Sequence, residues 1–144
     1  VMFINALLGG DFSALDIGIT VLATYLNERT YHKAEILDMT FHRKDWKSHL
    51  HKNIMRFQPD IIGISCNTMY MQYVKRIMKE IKENHDIPLV LGGHHASIYP
   101  EDTIKTGFRR EADSLIAGLT SFGFFRDALS KLNFFIMLKQ TEQS

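Results

Sequence analysis

The sequence has little cysteine and no long apolar run, and each shortage excludes a class of protein. A single cysteine, Cys66, cannot form an internal disulfide, which fits a reducing cytoplasm. One thiol also cannot hold an iron–sulfur cluster, which needs several cysteine ligands. The uncharged apolar stretches, such as 61–64 and 134–138, are far shorter than the roughly 20 residues of a membrane span. We therefore expect a cytoplasmic chain with no membrane partner and no iron–sulfur cluster of its own.

An excess of charge of either sign is also lacking. The chain has 17 Lys plus Arg and 16 Asp plus Glu, so its net charge is +1. This balance gives no electrostatic attraction to a phosphate backbone, and we expect no nucleic-acid partner. The 144 residues are 45% hydrophobic, which is enough for one globular domain with a full core.

Strand and helix patterns alternate along the chain. Five short apolar runs predict strands at 1–5, 34–38, 61–65, 88–91 and 113–117. Apolar residues between them recur at helical spacing and predict one buried face in each helix. These faces are Ile17, Val21, Leu22, Tyr25 and Leu26; Trp46, Leu50, Ile54 and Phe57; Val74, Ile77, Met78 and Ile81; and Phe125, Leu129 and Leu132. A further short helical segment is predicted to begin at Pro100.

This alternation predicts an α/β fold of the flavodoxin-like, Rossmann-like type. It is a doubly wound, five-stranded parallel sheet with helices on both faces. If the strand order is 2-1-3-4-5, the winding direction reverses between the first and third strands. The loops 9–13 and 65–68 then flank one crevice at the carboxyl edge of the sheet, where such folds bind ligands.

Small and polar residues follow the strands at this edge, and we expect them to hold a ligand. The candidates are Gly9, Gly10, Asp11, Ser65, Cys66, Asn67, Thr68, Gly92, Gly93, His94, His95 and Gly118. Glycine suits a bulky, rigid ligand, because it lacks a Cβ and tolerates positive φ. We predict no catalytic residue and no metal-ligating side chain.

Several of these residues also have a purely structural interpretation. Ser65 and Thr68 are helix-capping residue types, Gly92 and Gly93 suit a plain turn, and Asp11 or Asp16 could cap the first helix.

The cysteine and histidine residues have structural interpretations too. A free cysteine such as Cys66 is usually a small buried hydrophobe. His94 and His95 are adjacent, so their side chains diverge, and neither has a carboxylate or cysteine partner at metal-binding spacing. His49 and His51 lie two apart on a predicted helix and share no face, so we expect both to be solvated.

Four segments, 17–26, 34–38, 57–65 and 90–96, together resemble a known family. The family is the cobalamin-binding domain found at the amino-terminal end of many S-adenosylmethionine radical enzymes, including methyltransferases and the anaerobic magnesium-protoporphyrin ester cyclase type. The resemblance covers residues 1–133 and implies a domain with those bounds. Residues 134–144 are then an apolar and finally polar tail, which we interpret as a linker to a missing catalytic domain.

The resemblance implies a module that binds a corrinoid at the carboxyl edge and presents it to a radical catalytic domain or protein, for methyl transfer or related chemistry. In this family a serine and a threonine after the third strand contact the nucleotide tail, and Ser65 and Thr68 match them. Gly92 and Gly93 match paired glycines after the fourth strand. The apolar segment 134–138 is expected to dock the catalytic domain or a second copy of the chain.

Three departures from related cobalamin-binding domains refine this expectation. The first loop, 8–18, lacks the cobalt-ligating histidine of the methionine synthase and mutase type, as the radical-enzyme relatives commonly do, so the implied cobalamin is base-off, without a histidine ligand from that loop. The segment 118–121 replaces an acidic Gly-Glu-Gly-Glu segment. The Cys-x-x-x-Cys-x-x-Cys motif is absent, so no catalytic machinery is visible in this chain alone. Two alternatives stay open: a flavodoxin-like domain for another flat ligand such as a flavin, or a cofactor-free interaction or regulatory domain.

Overall fold

Strands and helices alternate through residues 1–8 and 15–99, which are the part of the chain that the computed structural model describes. The elements are β1 (Met2–Asn5), α1 (Ile17–Arg29), β2 (Glu35–Asp38), α2 (Trp46–Phe57), β3 (Ile62–Ser65), a short 3-10 turn (Thr68–Tyr70), α3 (Met71–Asn84), β4 (Leu89–Gly92) and α4 (His94–Ile98).

The four strands form one parallel sheet in the order β2-β1-β3-β4. This is the predicted doubly wound order, with the winding reversal between β1 and β3. The predicted fifth strand, the helix with Phe125, the segment at Pro100 and the tail lie outside the described residues.

Helices cover both faces of the sheet, because the side chains of each strand alternate between the faces. Met2 and Ile4 of β1 pack in a large cluster with α2 and α3, which contribute Leu50 and Ile77 among others. Val1 and Phe3 point the other way and pack against α1. The faces predicted for α2 and α3 are confirmed, with only Phe57 partly buried.

The face predicted for α1 is largely wrong. Ile17 is 80% exposed and Val21 is 47% exposed, while the helix buries Ile19, Ala23 and Leu26. The predicted face and the buried face are both apolar at helical spacing. The predicted face has the larger side chains, which is why the sequence pattern indicated it. The small Ala23 faces the sheet instead, which lets the helix backbone approach the strands closely.

The segment after β4 also differs from expectation. Residues 94–98 form the one-turn helix α4, which starts directly after Gly93. Five residues are too few to show a helical period in a sequence. None of the helices within residues 1–8 and 15–99 has the length and apolar character needed to cross a bilayer.

Candidate functional site

The last residues of the four strands form a row across the carboxyl edge of the sheet. Asp38 pairs with Asn5, Asn5 with Ser65, and Ser65 with Gly92 as register partners. Register partners in a parallel sheet share a face, and Phe3, two residues before Asn5, packs against α1. The row therefore lies on the α1 side of the sheet, at the end where parallel α/β folds bind ligands.

The β1 and β2 end of this row is a closed polar network. Asn5 Nδ2 donates to Asp38 Oδ1 over 2.9 Å, and the same oxygen accepts from Thr40 N at 3.1 Å and Thr40 Oγ1 at 2.6 Å. Asn5 and Thr40 are buried. Asn5, Asp38 and Thr40 were not predicted from the sequence, although the polar residue that ends each of two apolar strands was a signal for the first two.

Ser65 is connected to the first helix. Its Oγ donates to Asp16 Oδ2. The other carboxylate oxygen, Asp16 Oδ1, accepts from the backbone N–H groups of Gly18 at 2.7 Å and Ile19 at 3.3 Å. The predicted capping role of Asp16 is thus confirmed. Its bond to Ser65 was not predicted, and it joins the ends of the two elements beside the crevice.

The side chain of Cys66 lies in the core. It is fully buried, and its Sγ lies 3.0 Å from Met71 Sδ. The structural interpretation of this cysteine is confirmed, so only its backbone faces the edge. That backbone is also engaged, because Cys66 N donates to Gly92 O at 2.8 Å and Cys66 O accepts from His95 N at 3.0 Å.

Asn67 and Thr68 are exposed at the same edge. Asn67 Oδ1 accepts from Met69 N at 3.1 Å and caps the short 3-10 turn. Thr68 Oγ1 lies 2.9 Å from Nδ1 of His95, a buried histidine on α4. The neighbouring His94 is exposed, so the two histidines diverge as predicted.

The paired glycines differ in their surroundings. A Cβ built on Gly92 meets no heavy atom within 4 Å, so this position faces open space. A Cβ on Gly93 would lie 2.6 Å from Cys66 O and 2.8 Å from Cys66 N. Gly93 also has φ +95°, which only glycine adopts readily. The backbone at this edge therefore requires glycine at position 93, whereas position 92 has room for a ligand.

The described candidates thus converge on one edge. Ser65 and Gly92 are register partners, and Gly93 closes on the backbone of Cys66. The candidates Gly9, Gly10, Asp11 and Gly118 lie outside the described residues.

A separate polar cluster joins α2 to α3 and corrects one expectation. His51 is half-buried, with Nε2 2.9 Å from Glu80 Oε1 and Nδ1 2.8 Å from His85 Nε2. A carboxylate only accepts, so His51 Nε2 donates to Glu80, while its other ring nitrogen faces His85. The expectation that His51 is solvated was wrong, because a partner on another helix cannot be predicted from spacing within α2.

The electrostatics of this cluster follow from its contacts. Lys47 Nζ lies 2.5 Å from Glu80 Oε2, and the bonds to Lys47 and His51 lower the pKa of Glu80. Burial and the neighbouring His51 lower the pKa of His85. No group of three or more His, Cys, Asp or Glu side chains within residues 1–8 and 15–99 is arranged to hold a metal ion.

Comparisons with known proteins point to one cofactor class. The sequence model of the B12 binding domain matches residues 6–119. A curated protein of Pyrococcus horikoshii, named an uncharacterised methyltransferase, is 35% identical over 123 residues. The match covers 80% of this chain and 25% of that protein, so the chain spans about a quarter of the length of this relative.

Two solved structures have a similar fold. Both are of TsrM, a radical S-adenosylmethionine methyltransferase from Kitasatospora setae, with 25% sequence identity over 72% of this chain. The structure with tryptophan substrate and the analogue aza-SAM gives a TM-score of 0.64, and the structure with cobalamin and a 4Fe–4S cluster gives 0.63. The match covers 21% and 20% of those chains.

Proposed function

The chain belongs to the B12-binding domain family, and from this membership we propose that it holds a cobalamin at the carboxyl edge of its sheet and presents it to a radical catalytic domain or protein. The observation that carries the placement is the open space above Gly92, in register with Ser65. A large, rigid ligand needs such a backbone-lined opening.

The residues at this edge fit a corrinoid. Gly92 provides space, Gly93 keeps the chain close to Cys66, and the hydroxyls of Ser65 and Thr68 provide polar contacts. Asn67 and His94 are exposed at the same edge and are further proposed contacts. Gly9, Gly10, Asp11 and Gly118 stay proposed contacts, and they lie outside the described residues.

A bound cobalamin would supply a cobalt centre able to carry a methyl group. The first loop, 8–18, contains no histidine, which supports a base-off cofactor without a protein ligand from that loop. The role proposed for this chain is to bind the ring, to orient it and to exclude water from one of its faces.

Exposed apolar side chains around the same edge support a catalytic partner above the cofactor. Within the described part of the chain, most of the large exposed apolar residues lie in the segments that follow the strands. This rim consists of Leu15, Ile17, Phe41, Met69, Ile98 and Tyr99. Apolar patches of this kind usually mark interaction sites. We assign the rim to the radical catalytic region, with methyl transfer as the proposed reaction, because the match covers only 25% of the curated relative, which is named a methyltransferase.

The remaining expectations about the chain's ends and its location also stay proposals. Residues 134–144 are the proposed linker to that region, with 134–138 docking either it or a second copy. Cys66 is the single cysteine of the sequence and is buried, which supports a reducing compartment such as the cytoplasm.

The test is a titration of the purified chain with hydroxocobalamin or methylcobalamin under anaerobic conditions. Gel filtration and the absorbance spectrum of the protein peak are then recorded. We expect stoichiometric coelution with a base-off spectrum. Gly92→Val should abolish binding while leaving the far-ultraviolet circular dichroism unchanged, since its side chain fills the open space.

Thr24→Val is the matched control, because Thr24 is exposed on α1, away from the sheet edge. Flavin mononucleotide serves as the competing flat ligand. A well-folded chain that takes up the flavin and leaves both cobalamins unbound would contradict the proposed function.

A further inference from the structure

The helices α2 and α3 carry an excess of positive charge that the composition of the whole chain conceals. They contain seven Lys and Arg side chains and two acidic ones, Glu80 and Glu83, which gives a net charge of +5. The whole chain has a net charge of +1, so the rest of it carries −4. Six of the seven cations are exposed, and we call them the basic face. They are Lys47, Lys52, Arg56, Lys75, Arg76 and Lys79.

The two acidic side chains do little to neutralise this surface. The side chain of Glu80 is only 11% exposed, and its Oε2 lies 2.5 Å from Lys47 Nζ, so its charge is turned inwards. Glu83 is paired with Lys79 at 3.7 Å. Three further cations form no ion pair within residues 1–8 and 15–99: Lys52, Lys75 and Arg76. The outward side of the two helices is therefore positive.

Trp46 restrains two of these cations where α2 meets α3. The indole is buried at the start of α2, and Lys47 Nζ and Arg76 Cζ each lie 5.5 Å from the centre of its ring system. A cation–π contact limits the freedom of a side chain without cancelling its charge. A partner that binds these two cations thus pays less for ordering them.

The charge distribution limits what can occupy the basic face. A second copy related by a twofold axis would place the same positive surfaces against each other, which is unfavourable. A nucleic acid longer than the face would also meet the negative remainder of the chain. In addition, no aromatic side chain of α2 or α3 is exposed to stack on a base. A compact acidic surface avoids both difficulties, because it contacts the face alone.

We propose that the basic face is a docking surface for a separate protein that presents an acidic patch to it. The face lies across the sheet from α1, because α2 and α3 pack on the opposite side of the strands. It includes neither the residues proposed to hold cobalamin nor the rim assigned to the catalytic region. This role goes beyond the proposed cobalamin function and does not depend on it.

Fluorescence anisotropy with labelled poly-L-glutamate tests the face at about 0.02 M salt. Replacing two cations by Lys75→Gln with Arg76→Gln should raise the Kd about tenfold, the effect of losing two exposed ion pairs. Lys52→Gln with Lys75→Gln should give a similar loss and leaves the contact of Arg76 to Trp46 intact. Raising the salt to about 0.15 M should weaken binding by the wild type, because the interaction is screened.

Arg29→Gln with Lys33→Gln is the matched control, since it removes two exposed positive charges outside the basic face. This pair should raise the Kd far less. Equal losses from the control and the face variants would show that only total charge matters, and would overturn the proposal. A folded wild-type chain that does not bind poly-L-glutamate would overturn it too.

Two further measurements separate the remaining outcomes. Duplex DNA with the same total charge as the peptide should bind more weakly than the peptide, and tighter binding of DNA would overturn the assignment to an acidic protein. The Kd for hydroxocobalamin should be unchanged in the face variants, because their substitutions lie outside the proposed cobalamin site. A failure of the cobalamin function is therefore detected independently of a failure of the basic face.

Discussion

The hydroxyl oxygen of Thr68 lies 2.9 Å from Nδ1 of His95, and this contact ties the turn after β3 to the helix after β4. Both segments belong to the proposed cobalamin site. His95 is only 5% exposed, so the exposed Thr68 is held by a residue that cannot easily move.

Thr68→Val should lower the free energy of unfolding by about 1 kcal/mol, the usual net contribution of one hydrogen bond. It should also weaken corrinoid binding, because the threonine loses both its hydroxyl and its anchored position. Thr68→Ser should restore most of both properties. Urea unfolding and the hydroxocobalamin Kd measure the two effects. If Thr68→Val matched the wild type in both assays, the contact would have no role in the site.

One added methyl group should lower the stability of the fold strongly at Gly93 and hardly at Gly92. Gly93→Ala places a Cβ 2.6 Å from Cys66 O at a φ of +95°, so we expect a loss of about 2 kcal/mol or more. Gly92→Ala meets no atom within 4 Å and should change stability by less than about 0.5 kcal/mol. Urea unfolding of the two variants side by side tests this, and equal losses would contradict the described turn.

The buried faces of α2 and α3 and the order of the strands could be predicted from the sequence. The stripes from Trp46 to Ile54 on α2 and from Val74 to Ile81 on α3 are confirmed, since no second apolar stripe competes with them on these helices. The order of the four described strands is confirmed too, because alternating strands and helices leave few unknotted topologies.

Contacts between elements could not be predicted in the same way. The bonds of Ser65 to Asp16 and of His51 to Glu80 join residues 49 and 29 positions apart, so they depend on the finished packing. The sequence of α1 has two apolar stripes, and either could be the buried face. The packing of Ala23 against the sheet determines which one is buried. The candidate residues at strand ends were placed together because topology alone brings those ends to one edge.

Acidification should destabilise the fold in two stages through the cluster between α2 and α3. The pKa of His85 is lowered from its ordinary value of 6.5, so the unfolded chain takes up this proton first as the pH falls. Stability is therefore lost below about pH 6.5, and burial of His49 acts in the same direction. The pKa of Glu80 is lowered from 4.5, so its contribution is present above that pH and is lost as the pH falls below it.

Urea midpoints measured across a buffer series test both stages. His85→Asn should flatten the dependence between pH 7.5 and 5.5 and leave the lower stage intact. Glu80→Gln should instead flatten the lower stage. An identical pH profile for both variants and the wild type would show that the cluster does not govern the acid response.

Phe3 and Gly63 are register partners on β1 and β3, and the ring occupies the space beside the glycine. A Cβ on Gly63 would lie 2.7 Å from Phe3 Cδ1 and 2.9 Å from Cε1. Because Phe3 is packed against α1, its ring has little room to move. Gly63→Ala should therefore cost about 1–3 kcal/mol of unfolding free energy, as expected for an overpacked core.

Phe3→Val provides the matched compensation. Valine lacks the Cδ and Cε atoms that the new Cβ would meet, so the double variant should be more stable than the sum of the two single losses predicts. A double-mutant cycle from urea unfolding measures this coupling. Strict additivity would mean that the ring does not fill the space beside Gly63. It would also remove the packing reason for a glycine in the middle of β3, a strand that otherwise consists of large apolar residues up to Ser65.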